Sequence, residues 1–442
     1  TQPAEKRNYL IFAKSQDILS YMEYRINFIN NSYKRFAKAH KEELVSAFWN
    51  CLEKGELILR EEVSKFEDNL AKFVGTKYAV GVNSGSDALF LSCQALGLKG
   101  NWKYLLDRVY VGEITIDEAH KLFEGDEVIT VAHTFIASLQ CIVHSGAKPV
   151  LVDVGENELM NPELIEQAIT ERTKAILPVH FHGKVCDMDR IMEVAKKHNL
   201  YVIEDGAQAL GSFYTQASTA SAEREMKTKF LANKGKMAGS FGDAGCFSFN
   251  TPKLLGGFGD GGGIVTNNRA FCEKLYLLRN HWNMAQTSVR MADFPTPEVV
   301  QWAFKSRLDN VQAALLNVKF KYYKELLERR KKIADMYCEG LKGLPLKLPT
   351  YGEGDVIQEF IIRIGSSEER ERFKQFMDSK GIEILIRETT PNHKVKNLYL
   401  DHFSLPVTES ISKDAVRLPA YPELEDEEIK EIIQAIREFY GL

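Results

Sequence analysis

Four short stretches carry residue types whose spacing could do chemistry. The first, SFNTPKLLGGFGDGGG (Ser248 to Gly263), holds one lysine, Lys253, with Ser248 five residues ahead of it and a run of glycines behind. A lysine amine beside backbone kept slim by glycine suits either a nucleophile toward a carbonyl or a phosphate ligand. GFGDGG matches G-x-G-x-x-G, but the residues after it, GIVTNN, read as a strand. A dinucleotide pyrophosphate needs a helix N-terminus there, and a P-loop needs its lysine after the glycines. Both readings fail. A tight bend whose glycines serve only packing stays open as the plain alternative.

The second stretch, NSGSDAL (Asn83 to Leu89), joins an apolar run to a helical pattern. Small residues at a strand-to-helix turn expose N–H groups at the positive helix end, where an anion can sit. Gly85 keeps that turn open, and Ser84 and Ser86 add hydroxyls; equally, Ser86 or Asp87 serves only as the helix N-cap. In the third, YVIEDGAQALG, Asp205 falls where a buried strand ends, with Gln208 three residues on. A carboxylate there projects into the ligand crevice of an α/β sheet, or it caps the next helix. The fourth, HTFIAS, puts Phe135 at another such junction, as a stacking ring or a core residue. A lone lysine, a carboxylate, an aromatic ring and a phosphate site are together what pyridoxal 5′-phosphate asks of a protein.

These residues need a scaffold that brings strand ends to one edge. KYAVGV, DEVITV, KPVLVDV, KAILPVH, LYVIEDG and AGCFSFN read as short buried strands, separated by segments with apolar residues at helical spacing. That rhythm predicts an α/β domain with a mostly parallel seven-stranded-type sheet, whose ligands bind at the strands' carboxyl ends. Two segments interrupt it, at about 100–124 and 215–237, the first reading as a small helical insertion. RLDNVQAALLNVKFKYYKELLERRKKIADMY reads as one long helix, with Leu308, Val311, Leu315, Val318 and Tyr322 on one face and a solvated basic end. A small α+β unit follows, with strands EFIIRI and IEILI and a terminal helix EDEEIKEIIQAIREFY. The expected organisation is a tail and helical arm (1–60), a large domain (61–320) and a small C-terminal domain (321–442).

Composition removes other classes of function. The 442 residues carry 57 basic and 61 acidic side chains, a net charge of −4, so no global field draws nucleic acid or a membrane surface. No apolar run is long enough for a membrane helix, and TQPAEKRNYL lacks the apolar core of a secretory leader, so a cytoplasmic protein is expected. Seven scattered cysteines with no C-x-x-C pair read as reduced core residues. The ten histidines show no H-E-x-x-H spacing, so no metal site is expected from spacing.

From about Arg25 to its end the chain closely resembles the DegT/DnrJ/EryC1/StrS family of pyridoxal-phosphate-dependent sugar aminotransferases. The likeness rests on GELILREEVSKFEDNLAKFVGTKYAVGVNSGSDAL, GDEVITVAHTFIASLQCIVHSGAKPVLVDV, YVIEDGAQALGS, FGDAGCFSFNTPKLLGGFGDGGGIVTN, SRLDNVQAALL and RLPAYPEL, in that order. It implies a type I aminotransferase fold and a homodimer with active sites at the subunit interface. It implies Lys253 as the Schiff-base lysine and proton shuttle, and Asp205 as the partner of the pyridinium. Gln208 would meet the ring hydroxyl, Phe135 would stack on the ring, and Ser248 with the Gly85, Ser86 and Asp87 turn would hold the phosphate. The reaction implied moves an amine from L-glutamate to a keto-sugar, most often nucleotide-linked at C3 or C4. Lys305 stands where the family usually has an asparagine that reaches the neighbouring subunit's phosphate site; Arg307 and His393 are candidate substrate contacts. Sugar dehydratases of the same fold replace the lysine with histidine, which Lys253 argues against. A regulatory pyridoxal-phosphate binder without turnover has no need of Lys253, Asp205 and Ser248 together.

Overall fold

The structure is a computed structural model that describes residues 24–28, 30–215, 233, 235–281, 302–387 and 389–442. Most of the expected 215–237 excursion and the chain before residue 24 therefore lie outside the described residues.

Each apolar run expected to be a strand of the large domain is one. The seven strands are β1 (Tyr78–Val82), β2 (Glu127–Val131), β3 (Lys148–Val152), β4 (Thr173–Ile176), β5 (Tyr201–Asp205), β6 (Ala244–Ser248) and β7 (Gly262–Thr266). They form one sheet in the order β1-β7-β6-β5-β4-β2-β3. The pairs from β6 through β5, β4 and β2 to β3 are parallel, while β7 runs antiparallel to both β1 and β6. Parallel strands are covered on both faces, which is why β2 (EVITV) is buried at every position. No helix separates β6 from β7. The chain instead loops back through residues 249–261, and that loop carries Lys253.

The glycines of that return segment are a steric necessity at the start of β7. A Cβ on Gly262 would stand 2.1 Å from the Ser84 carbonyl oxygen, and one on Gly263 would stand 2.7 Å from Leu70 Cδ2. They let β7 pass the turn after β1 at backbone contact distance. Helix Gly85–Leu96 leaves that turn, capped by Ser84, whose Oγ accepts the Asp87 N–H at 3.0 Å. The N-cap is thus Ser84, not the Ser86 or Asp87 considered from sequence. Its C-terminus is closed by Gly97 at φ +79°, a left-handed conformation that glycine adopts without strain.

Three sequence expectations fail for tertiary reasons. The expected long helix is two, Asn310–Lys321 and Tyr323–Gly340, broken at Tyr322 (φ −98°, ψ 1°). Tyr322 turns its hydroxyl to Glu43 of the N-terminal arm, while Tyr323 sends its own inward to the Leu210 carbonyl at 2.8 Å. Nor is the basic end wholly solvated: Arg330 is buried, with Nη1 donating to the carbonyls of Ile357, Gln358 and Ala420. IEILI forms no strand, because its residues bridge different partners, Ile382 to Ile26 and Leu385 to Arg417.

Around the sheet lies the principal apolar core, and a second core, with Tyr337, Phe360, Phe373 and Ile432, fills the C-terminal unit. There β8 (Phe360–Arg363) pairs antiparallel with β9 (Ala415–Leu418). The residue 100–126 segment forms helices Trp102–Tyr110 and Ile116–Leu122 around Trp102, Leu105, Ala119 and Phe123. Residues 30–54 form helices Asn30–Ala39 and Lys41–Lys54. Among the described residues no helix is long and apolar enough to cross a membrane.

One buried ion pair sets the position of β1. Glu67 Oε1 takes Arg279 Nη1 at 2.5 Å and the Gly81 N–H at 2.8 Å, Oε2 takes the Tyr276 hydroxyl at 2.9 Å, and both charged side chains are fully buried. Arg279 Nη1 also donates to the Gly81 carbonyl at 2.7 Å, so the pair grips β1 three residues before Ser84. Removing one member leaves the other charged and alone in the core. Glu67→Ala is expected to cost about 3–5 kcal/mol, read as a lower midpoint in chemical denaturation.

Candidate active site

The carboxyl ends of β5 and β6 and the turn after β1 open onto a cavity of about 300 Å³. Ser84, Gly85, Ser86, Phe135, Asp205, Gln208, Ser248 and Lys253 all line it. Residues from four separate segments, singled out for their chemistry, meet in one place.

Lys253 sits in the loop after β6, where its N–H donates to the Asn250 carbonyl at 2.9 Å. The loop is clamped on both sides of the lysine by a single amide. Gln358, buried and contributed by the C-terminal unit, accepts the Leu254 N–H and donates to the Pro252 carbonyl, both at 2.9 Å. Burial pushes the Lys253 amine below the ordinary lysine pKa. The Glu359 and Asp205 carboxylates work against that shift, and the Arg417 and Arg387 guanidiniums add to it. The result is an amine that sheds its proton more readily than a surface lysine.

Asp205 closes β5 with its carboxylate buried. Oδ2 accepts the Ser138 hydroxyl at 2.7 Å and Oδ1 the Ala207 N–H at 3.1 Å. Ser138 in turn lies 2.6 Å from the Thr134 hydroxyl, so the carboxylate is oriented from the helix that follows β2. Gln208 accepts the His182 N–H on Oε1 at 2.8 Å, which leaves its NH₂ as the group available to a ligand. The Phe135 ring is 59% exposed, open to stacking rather than spent in the core.

At the other end of the cavity, the Gly85–Leu96 helix N-terminus faces Ser248. A Cβ on Gly85 would stand 2.6 Å from Ser248 Cβ, so only glycine lets the two elements approach this closely. Asp87 N–H is spent on Ser84 Oγ and Ala88 N–H on the Ser84 carbonyl. The Gly85 and Ser86 amides are the first-turn donors with no intrahelical acceptor. This is a built anion cradle of amides, hydroxyls and a helix dipole.

Four expected site residues are not in this cavity. Asp87 turns its carboxylate to the Ser306 hydroxyl at 2.7 Å, so its part in the turn is structural. Lys305 is exposed on the segment whose backbone bridges Asn280, and Arg307 donates to Asn280 Oδ1 at 3.2 Å. His393 is buried, its Nε2 3.0 Å from Glu409 Oε1, in a segment tied to the end of β2 by Asn392. In this chain it is a structural contact of that segment.

Sequence reasoning missed Gln358, Glu359, Arg387 and Arg417, all lining the cavity from the C-terminal unit. Glu359 Oε2 lies 3.0 Å from His182 Nδ1 and 3.3 Å from Arg417 Nε. Burial alone would raise its pKa, but Arg417, the His182 hydrogen bond and Lys253 hold it at about 2. Arg417 lies in the quoted RLPAYPEL motif, the one signal that pointed toward this wall; the others carry none.

The bound group that this geometry fits is found among similar proteins. The chain is 36% identical over 405 residues to a dTDP-3-amino-3,6-dideoxy-alpha-D-galactopyranose transaminase of Aneurinibacillus thermoaerophilus, covering 90% of this chain and 96% of that one. It is 32% identical to a pleiotropic regulatory protein of Geobacillus stearothermophilus, covering 90% and 95% of the two chains. The crystal structure of S. venezuelae DesV in complex with a ketimine intermediate superposes with a TM-score of 0.77 at 31% identity, over 95% of this chain and 99% of that one. The sequence model of the DegT/DnrJ/EryC1/StrS aminotransferase family matches residues 38–437. The chain therefore belongs to that family, an aminotransferase whose cofactor is pyridoxal phosphate.

Proposed function

We propose that this enzyme moves the amino group of L-glutamate to a nucleotide-linked 3-keto or 4-keto hexose, with Lys253 as the amine that holds the cofactor and carries the proton. The observation that carries this reading is the pairing, in one cavity, of a half-buried lysine whose proton is loosened with a buried aspartate at the end of β5. Glycine at position 85 lets Ser248 come up against the helix N-terminus, which brings hydroxyl and amide donors together and supports the fit of the cofactor phosphate to these residues. Bound pyridoxal phosphate supplies an aldehyde for an amine and a ring that withdraws electrons from the adjoining carbon.

The protein's own groups do the rest. Ser248, Ser86 and the Gly85 and Ser86 amides bind the phosphate. Asp205, across from them, favours a protonated ring nitrogen by about 1–3 pKa units, as a close opposite charge does. Gln208 offers its NH₂ to the ring hydroxyl, and Phe135 covers a ring face. Lys253, freed when the substrate amine takes its place, would take the proton from the substrate carbon and return it across the intervening nitrogen to the cofactor carbon, a role that contributes about 10²–10⁴-fold. The sugar is read from relatives such as the dTDP-linked 3-amino-sugar transaminase, which favours amination at C3. The regulatory relative does not displace this reading, because a binder without turnover needs no lysine tuned to lose its proton.

The enzyme works as a homodimer. Val45, Phe48, Trp49 and Leu52 are all more than a third exposed, at spacings that place them on one face of helix Lys41–Lys54. Such an apolar stripe is what a second copy would cover. Lys305 and Arg307, outside this chain's cavity, then become available to the partner's site. Its seven cysteines are all unpaired, in keeping with a reducing cytoplasm.

Three outcomes follow. The visible absorption band of the lysine-bound cofactor is expected to disappear when L-glutamate is added to the wild type. Lys253→Ala should lack the band, and amination of a nucleotide keto-hexose should fall by about 10²-fold or more. A wild type that binds the cofactor but does not respond to glutamate overturns the donor assignment. Second, capture of added cofactor by the apoprotein should titrate with a midpoint below that of an ordinary lysine. Glu359→Gln should move it lower still, since that carboxylate favours the ammonium form. Third, Trp49→Asp should shift the protein to a monomer by light scattering and abolish turnover.

A further inference from the structure

We propose that His133, His182 and Glu158 form a binding site for a divalent ion of the zinc class, beside the cofactor cavity and distinct from its chemistry. One ligand atom from each residue lies within 4.8 Å of the others. The three residues follow β2, β3 and β4, which are neighbours in the sheet, so their carboxyl ends converge on the site. Along the chain they are more than twenty residues apart, which is why spacing gives no metal signature.

The decisive observation is His133. Its side chain is more than nine-tenths buried and its Nε2 has no hydrogen-bond partner. An unsatisfied buried nitrogen costs about 1–3 kcal/mol, and protein interiors rarely tolerate it without a ligand or water. His182 is oriented as metal-binding histidines are. Glu359 Oε2 lies 3.0 Å from its Nδ1, which places the proton there and leaves Nε2 with a lone pair. Glu158 supplies the third ligand from the turn after β3, half-buried at the same place.

The space fits a single ion. A cavity of about 20 Å³ is lined by His133, Glu158 and His182, with Arg387 and Arg417 on its far wall. That is room for about one water-sized occupant. Zinc bonds of about 2.0–2.2 Å set tetrahedral ligand separations near 3.4 Å, so the three side chains close by roughly an ångström around the ion. A fourth position stays open to water. The guanidiniums of Arg387, Arg417 and Arg363 oppose a cation, but Arg417 is matched by Glu359 and Arg363 by Asp414, so Glu158, whose Oε1 lies 3.6 Å from Arg363, keeps its other oxygen for the ion. With two imidazoles among three ligands, hard oxygen-seeking ions such as magnesium are disfavoured.

Holoenzyme freed of metal by a chelator is titrated with Zn²⁺ by calorimetry, with Mg²⁺ as a parallel titrant. Expected are one Zn²⁺ site per chain and no Mg²⁺ site. Affinity should fall at least tenfold in His133→Gln and in Glu158→Gln, and about tenfold or more in Glu359→Gln, the outer partner of His182. His120→Gln, at a half-buried histidine outside the cluster, packed between Trp102 and His402, should bind as the wild type does. The same site must persist in cofactor-free protein, which separates it from metal held by the cofactor. The wild type with Co²⁺ decides the matter even where a variant folds poorly: strong visible bands of four-coordinate cobalt support the site, and only weak six-coordinate bands overturn it. Equal Zn²⁺ affinity in the wild type and His133→Gln, or no saturable binding, also overturns it.

Discussion

A carboxylate buried at the end of a parallel strand imposes the central constraint on this molecule. Asp205 is 5% exposed and receives one hydroxyl and one amide, which orient its charge without neutralising it. Keeping an ion out of water costs several kcal/mol unless a cation or a set of donors compensates. The residue before it shows the other solution. Glu204 is fully buried on the opposite face of β5, where it takes three backbone N–H groups at 2.7 Å and faces His180 at 2.9 Å. Successive residues of one strand thus carry two buried carboxylates, one saturated by its surroundings and one left with capacity for a ligand. The saturated one is architecture; the other lines the cavity.

Geometry elsewhere brings the candidate anion cradle and Lys253 into the cavity that this aspartate lines. The cradle depends on β1, which the Glu67–Arg279 pair holds from inside the core. It also depends on three close backbone approaches: Gly85 against Ser248, Gly262 against the Ser84 carbonyl, and Gly263 against Leu70. The antiparallel return of β7 makes the lysine loop possible, because it brings the chain back past the turn after β1 without a crossover helix. The glycines behind Lys253 therefore serve close packing of backbone.

Much of this was legible in the chain because it is local. Buried strands announce themselves as β-branched runs, and residues at their ends in an alternating α/β pattern fall at one edge. Asp205, Ser248, Lys253 and Gly85 could therefore be nominated together. What stayed hidden depends on contacts between distant segments. Gln358 clamps a loop more than a hundred residues before it, and nothing near position 358 marks it. The break at Tyr322 comes from two adjacent tyrosines with partners on opposite sides, not from a glycine or proline. Asp87 has the right type and place for a cradle, yet Ser306, on a segment 219 residues away, claims its carboxylate. The convergence of His133, Glu158 and His182 belongs to the same class, set by strand order rather than by spacing.

The position of the Lys253 amine is consequently a property of two cores at once. Its loop grows out of β6 in the large core and Asp205 of β5 tunes it from there, but the amide that fixes it and the other charges that tune it come from residues 358, 359, 387 and 417. Arg330 adds to this, holding three carbonyls of that same wall from the helix that links the two cores. A shift of the C-terminal unit against the sheet would move the Gln358 clamp and the Glu359 charge together, altering both where the amine points and how readily it loses its proton. Reach and basicity are thus coupled through one short β8 approach, so the lysine is poised only when the C-terminal unit is seated on the sheet's edge.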